Sequence, residues 1–280
     1  MATAKGGARV RKRVTTIGVG ALLALGAFVI SFPFLWMVAS AFKPQSESVS
    51  YPPRLLPQES TLEYFRVLFS ELNFGTYLMN TLAIVVISMA GLVLMAMAGY
   101  GFAKFRFKGK ETLFFLVLAT MMIPVQVTMI PTFLIINAVN LTNTLVGIAL
   151  PSLVTGFSVF LFRQFMQTIP DEVIEAARID GASEARVFFS IILPMSKPIL
   201  AVQVVLVFIA SWNSFLWPLV LASDERLYTL SVGVSLLNQQ IATNPSLQMA
   251  GATVMVVPIL IVFIVFQRYV VQGFALSGMK

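Results

Sequence analysis

The sequence predicts an all-α membrane protein of six transmembrane helices, and three observations carry that prediction. Of its 280 residues, 58% are hydrophobic and only 11% charged, against about 25% charged in an ordinary soluble domain. Six apolar runs are long enough for a bilayer, which takes ~20 helical residues to cross: roughly 14–42, 76–102, 112–136, 145–166, 199–222 and 250–267. Basic residues concentrate in alternate connecting segments, the pattern that orients membrane helices. With no cysteine and no histidine, disulfides, thiolate chemistry and the commonest general base and metal ligand are absent.

The first run follows a tail, 1–13, carrying Lys5, Arg9, Arg11, Lys12 and Arg13. A cleaved signal peptide is the competing reading, with Ala39-Ser40-Ala41 as its cleavage site. The run, 14–42, exceeds the ~7–15 residues of a signal-peptide core and contains Pro33 and Trp36, which favours an uncleaved first span. Residues 43–73 form a polar extracytoplasmic segment with Pro44, Pro52, Pro53 and Pro57. Within it STLEYFRVLFSEL reads as a short amphipathic helix, with Ser60 as its cap and Glu63 three residues on.

The second run is rich in small residues, Ala90, Gly91, Ala96, Ala98, Gly99 and Gly101, which permit close helix approach in an internal core or a heterodimer seam. Lys104, Arg106, Lys108 and Lys110 follow it; Arg163, Arg178, Arg186 and Lys197 follow the fourth run; Arg268 and Lys280 follow the sixth. Arg163 and Arg268, at run ends, can snorkel to the interface. With the tail, these make fifteen of the 19 Lys and Arg, leaving Lys43, Arg54, Arg66 and Arg226 on the other side. Both termini are therefore expected in the cytoplasm, with 223–249 as an external loop. The +7 charge reflects topology and gives no reason to invoke nucleic acid; the basic segment AKFRFKGKE, 103–111, could also contact anionic headgroups of the lipid bilayer.

Between the fourth and fifth runs lies PDEVIEAARIDGASEARVFFSIILPMSKP, residues 170–198, the densest group of acidic residues in the chain. It reads as a helical hairpin over 168–198. Thr168 offers a cap, Pro170 suits a first turn, and Asp171 and Glu172 sit at the positive end of the dipole. Gly181 takes the position where a left-handed residue is wanted. Ser183 caps a second helix through Val187, Phe188, Phe189 and Ile192, with Pro194 closing it. Phe188, Phe189 and Ile192 would anchor a rigid knob presenting Glu172, Glu175 and Asp180. A solvated loop with ordinary caps explains the same residues equally well.

The run Glu175-Ala176-Ala177, Gly181, Ile191, Pro194 resembles the EAA loop of binding-protein-dependent ABC importer permeases. The stretches FRQFMQTIP, SWNSFLWPLVLA and FQRYVVQGF are similar to the carbohydrate branch, in particular to the shorter permease subunit of maltose transport. The ending GFALSGMK departs from the Gly-Leu-Thr-Ala-Gly-x-Val-Lys-Gly usual there. The resemblance covers nearly the whole chain. It implies a type I ABC importer permease fold in a prokaryotic plasma (inner) membrane, with 74–270 as the importer domain and 271–280 as a cytoplasmic tail. It implies three protein partners: an ATP-binding cassette ATPase dimer, a second homologous permease and an extracytoplasmic solute-binding protein. Glu172, Glu175, Ala176, Ala177, Asp180, Gly181 and Ala182 would form the coupling element seated in the ATPase.

The chemistry of the spans agrees. No Gly-x-x-x-x-Gly-Lys-[Ser/Thr] occurs, so ATP and Mg belong to a partner and this chain is a non-catalytic subunit with no cofactor of its own. Ion-coupled carriers hold carboxylates or histidines near the midplane, and none stands there. The polar residues of the spans are Gln126, Ser152, Thr155, Ser158, Gln203, Ser211, Asn213 and Thr253, with Trp212 and Trp217. Gln126 and Asn213 could bond sugar hydroxyls and Trp212 could stack on a sugar ring; helix packing is the other reading of each. Trp217, near a span end, suits an interface anchor. The function implied is half of a translocation path for an oligosaccharide or disaccharide. The alternatives are a permease for another solute such as glycerol phosphate, or an ion-coupled carrier without an ATPase.

Overall fold

The computed structural model describes the backbone of residues 3–240 and 244–277 and the side chains of 15–239 and 244–267. The expectations placed on the basic tail side chains, Arg268 and Lys280 lie outside the described residues. Among the described residues fifteen α-helices follow in order: α1 Thr3–Ala41, α2 Gln45–Ser48, α3 Glu63–Ser70, α4 Phe74–Lys104, α5 Lys110–Thr120, α6 Val125–Ala138, α7 Leu145–Ala149, α8 Gly156–Met166, α9 Asp171–Ile179, α10 Glu184–Val187, α11 Leu193–Met195, α12 Lys197–Trp212, α13 Leu216–Leu221, α14 Leu230–Gln240 and α15 Pro245–Ser277. A π-helical turn, Phe188–Ile192, joins α10 to α11.

Three helices are long and apolar enough to cross a bilayer unbroken: Thr15–Ala41, Phe74–Lys104 and Pro245–Gln267. Three further helix pairs are together long and apolar enough to cross but are bent at a short break: α5 with α6 at 103°, Leu145–Ser152 with α8 at 51°, and Glu184–Met195 with α12 at 81°. The sequence treats 112–136 and 145–166 as continuous runs, and the structure breaks both. At Pro124 the chain loses a backbone donor, and its φ of −59° and ψ of 136° end the helical path. In the second, Thr155 leaves the helix at ψ 139° and caps α8 by accepting from the Ser158 amide at 3.3 Å. The fifth run, 199–222, ends its helix at Trp212; the Asn213 side chain donates back to Ile209 O at 2.9 Å, and α13 starts afresh at Leu216. Residues expected as an external loop instead hold α14 and the start of α15.

The chain divides into two compact units. The first is 1–68 with 237–254, the second 69–236 with 255–280. In the first, α3 begins at Glu63, whose amide donates to Thr61 Oγ1 at 3.1 Å, so Thr61 supports the turn assigned to Ser60. Lys43 is buried there, donating to Arg54 O and lying 4.4 Å from the Trp36 ring centre.

In the second unit α4 is the central rod. A Cβ on Gly91 would stand 2.1 Å from Leu153 O, and one on Gly99 2.4 Å from Phe162 Cβ and 3.0 Å from the Arg163 amide. Gly91 and Gly99 thus seat the turn before α8 and α8 itself, which is internal packing, whereas Ala90 is exposed and Gly101 has open space beside it. Leu92, Met95, Ala96 and Tyr100 meet Val159, Phe162, Met166, Ile174, Val187, Phe188 and Ile192 in one buried cluster. A second cluster joins Ile84 to Ile136, Ile148, Trp217 and Leu221. Trp217 is therefore a core side chain here, in place of the interface anchor expected. Arg163 lies 3.8 Å from the Phe114 ring centre and pairs with Glu111 at 3.1 Å, so its head is held by the protein instead of snorkelling.

A candidate coupling surface on the α9–α10 hairpin

α9 starts behind Pro170, and its first turn carries Asp171 and Glu172, where the dipole favours anions. Thr168 is no cap: its hydroxyl donates to Phe165 O at 2.7 Å, closing the end of α8. α9 is amphipathic in a specific way. Ile174 and Ala177, three residues apart, are buried in the cluster around Tyr100. Ile179 lies five residues beyond Ile174, about 140° around a 3.6-residue helix, and is 86% exposed. Glu172, Glu175, Ala176 and Asp180 share the exposed side. The two alanines of the motif therefore divide: Ala177 packs inward and Ala176 faces out.

The helix ends in a two-bond lock. The Ala182 amide donates to Ala177 O at 3.0 Å, and the Gly181 amide to Arg178 O at 3.0 Å, the Schellman arrangement. It requires a left-handed residue after the cap, and Gly181 has φ +79°. Ser183 then caps α10, accepting from the Arg186 amide at 3.4 Å. The second helix continues past Pro194 to Met195 before breaking at Ser196. Pro194 stands where a missing donor does no harm, at the start of the last turn. Phe188 and Ile192 anchor the hairpin as expected, while Phe189 is half exposed and touches the core only edge-on, 4.9 Å from the Phe188 ring.

Charged groups tie this hairpin to α4. Lys104, with its side chain 6% exposed, donates to Ile169 O at 2.5 Å and to Asp171 Oδ1 at 2.6 Å. That hydrogen bond, with the charge behind it, holds the Asp171 carboxyl below its ordinary value. Glu184 accepts from Arg178 Nε at 2.7 Å and from the Tyr100 hydroxyl at 3.3 Å. Glu172, Glu175 and Asp180 enter no ion pair among the described residues. Ile179, Tyr100, Lys104 and Glu184 were not singled out from sequence. The helical wheel of 171–179 could have found Ile179; the others depend on a contact between distant segments.

The three residues proposed for the path are not brought together in the same way. Trp212 is 2% exposed, stacked on Phe208 at 5.3 Å, and its indole donates to Met255 O at 2.8 Å. Asn213 is exposed at the end of α12, and Gln126 is exposed in the first turn of α6. Thr155 and Ser158 are taken up in the cap of α8. At the other end of α4 a cavity of about 620 Å³ is lined by Asn73, Thr76, Asn143 and residues 223–226, and none of the three path residues lines it.

Residues 95–275 match the family of binding-protein-dependent transport system inner membrane components. The chain belongs to that family. Over 277 residues this inner membrane component is 37% identical to the arabinooligosaccharides transport system permease protein AraQ of Halalkalibacterium halodurans, covering 96% of this chain and 99% of that one. It is 31% identical to the lactose transport system permease protein LacG of Rhizobium radiobacter, covering 94% and 96%. Its fold aligns at a TM-score of 0.79 and 25% identity with a chain in the crystal structure of a bacterial ABC transporter involved in the import of the acidic polysaccharide alginate, covering 92% and 97%. The fold is that of a type I ABC importer permease, and the chain is a multi-pass membrane protein.

Proposed function

We propose that this chain is one of two permease halves of an ABC importer carrying an oligosaccharide or disaccharide through a prokaryotic inner membrane. The observation that carries this reading is the outer face of α9. Glu172, Glu175, Ala176, Ile179 and Asp180 stand exposed there, on a hairpin whose other face is packed into the membrane domain. With Gly181 and Ala182 they make the surface for an ATPase dimer, which binds the ATP and Mg, while the buried Ala177 seats α9 beneath that surface; this chain catalyses nothing itself. The relatives named for arabinooligosaccharide and lactose transport support a sugar. A glycerol phosphate permease has less support, since a phosphate calls for cationic side chains along the path, and Lys104 and Arg163 are held at span ends by Asp171 and Glu111.

The working cycle follows. An extracytoplasmic binding protein delivers sugar on the side opposite the hairpin, and both termini lie in the cytoplasm. ATP binding closes the ATPase pair, the hairpins move with it, and residues 74–270 of each permease switch from inward-open to outward-open. The exposed amides of Gln126 and Asn213 serve the path, with Trp212 as a fixed wall behind it. The test is gentle-detergent purification of the tagged chain beside a Glu175→Ala/Gly181→Asp double variant. An ATPase and a second permease should come with the wild type, and the variant should lose the ATPase alone. A wild-type chain that emerges without partners overturns the reading.

A further inference from the structure

The hairpin joins the membrane domain by two routes, and they differ in bonding, although Ile199, Leu200 and Val204 of α12 also pack against the cluster around Tyr100. Toward α4 it is bonded directly. Glu184 is a node: it belongs to α10, accepts from Arg178 of α9 at 2.7 Å, and accepts from Tyr100 of α4 at 3.3 Å. Lys104 of α4 holds the start of α9 through Ile169 O and Asp171. Tyr100 is itself fixed, 5% exposed, with Phe105 edge-on at 5.3 Å and Phe188 at 5.5 Å. Toward α12 the connection runs through the π-helical turn 188–192 and then an 81° bend at Ser196. The Ser196 hydroxyl is buried there with no hydrogen-bond partner among the described residues. Single π turns recur at functional joints within helices, and a buried hydroxyl without a partner lowers the stability of the arrangement that holds it.

We propose that Glu184 and Tyr100 are positioning residues for transport: they lock the hairpin to α4 so that the two move as one body, while Ser196 is the joint at which α12 pivots. This rests on the coupling reading above. α4 then carries the stroke, because it packs on α8 at Gly99 and on the turn before α8 at Gly91, and a packed interface passes a displacement on instead of absorbing it.

The chain has no cysteine, so within it only the introduced pairs take labels, and the same labelling of the complex carrying the unaltered chain gives the partners' background. Spin labels at Ala185→Cys and Met97→Cys measure hairpin to α4; labels at Ala185→Cys and Leu206→Cys measure hairpin to α12. Both are read in the full complex with its copurified ATPase, without nucleotide and with a non-hydrolysable ATP analogue. The hairpin–α4 distance should change by less than about 2 Å, the scale of a packed helix shift, and the hairpin–α12 distance by more. Tyr100→Phe keeps the ring and removes only the hydroxyl, and Glu184→Gln keeps the shape. In each, the ATPase should still copurify and hydrolyse ATP within about twofold of wild type, while the hairpin–α4 distance becomes nucleotide-dependent. If hairpin–α4 moves as much as hairpin–α12 in the wild type, or neither variant loosens it, the brace is wrong and the coupling surface stands. If no ATPase accompanies the wild type, the coupling reading fails and the brace falls with it.

Discussion

The two ends of α4 are tied down by different chemistry. At the Lys104 end the ties end on charged groups: Lys104 pairs with Asp171, and the Tyr100 hydroxyl donates to Glu184, which is itself paired with Arg178. At the Phe74 end they are neutral amides and hydroxyls aimed at backbone. Asn80 Nδ2 donates to Arg226 O at 2.7 Å and to Tyr228 O at 2.9 Å, and Thr81 Oγ1 accepts from the Leu230 amide at 3.0 Å. Asn143, at φ +59°, accepts from the Ser223 and Asp224 amides at 3.0 and 3.2 Å. A neutral bond to backbone specifies one loop path. An exposed ion pair is individually weak and leaves its neighbours open to a partner. The hairpin end accordingly shows Ile179 and three acids without an ion partner, while at the opposite end Asp224 turns to Arg226 at 2.7 Å.

The sharpest way to break this contrast is Ile179→Asp. It removes the apolar centre of the exposed face without touching the core. Uptake should fall by at least ~10-fold, as loss of a buried interface anchor would produce, while the yield of folded chain stays the same. An unchanged uptake would make the hairpin end as inert as the other. Gly99→Val comes next and should injure both ends at once. Its Cβ alone meets Phe162 and the Arg163 backbone, and overpacking of this kind costs about 1–3 kcal/mol; thermal denaturation of the purified chain should show a lower midpoint.

Asn143→Ala should act on the Phe74 end alone. It leaves two amides without their acceptor and removes the side chain that lets asparagine tolerate the left-handed region, costing roughly 1–3 kcal/mol. Protease sensitivity should rise at residues 222–226, and ATPase copurification should not change. The smallest effect belongs to Asp171. Its carboxyl is held below its ordinary 3.8 by Lys104, so the clamp's contribution is complete above that value and is lost as pH falls below it. Pepsin nicking of the hairpin should match that of unaltered clamp at pH 5, and should converge on the Asp171→Asn rate only in more acidic buffer.

Much of this molecule was legible before any coordinates. Apolar run length reports the cost of leaving backbone groups unpaired in hydrocarbon, and that cost is paid residue by residue, so composition alone locates the crossings. The hairpin was equally readable: Gly181 at positive φ and Ser183 as a cap are local geometry, decided within a few residues. Caps with competing choices were less so. Thr168 and Thr61 each found a partner on the neighbouring turn, and short hydroxyl side chains have several such options within reach.

What the sequence determined, then, is whatever depends on neighbours along the chain: the membrane class, the crossings and the turn at Gly181. Pro124 and the Thr155 cap set two of the helix breaks locally, but tertiary structure decided the split of Ala176 from Ala177. It also decided the burial of Trp212 and Trp217, and the joining of Tyr100 and Lys104 to a hairpin some seventy to eighty residues away. Those outcomes turn on which helix faces meet. An apolar face satisfies lipid and protein almost equally, so hydropathy marks such a face without saying which of the two will cover it.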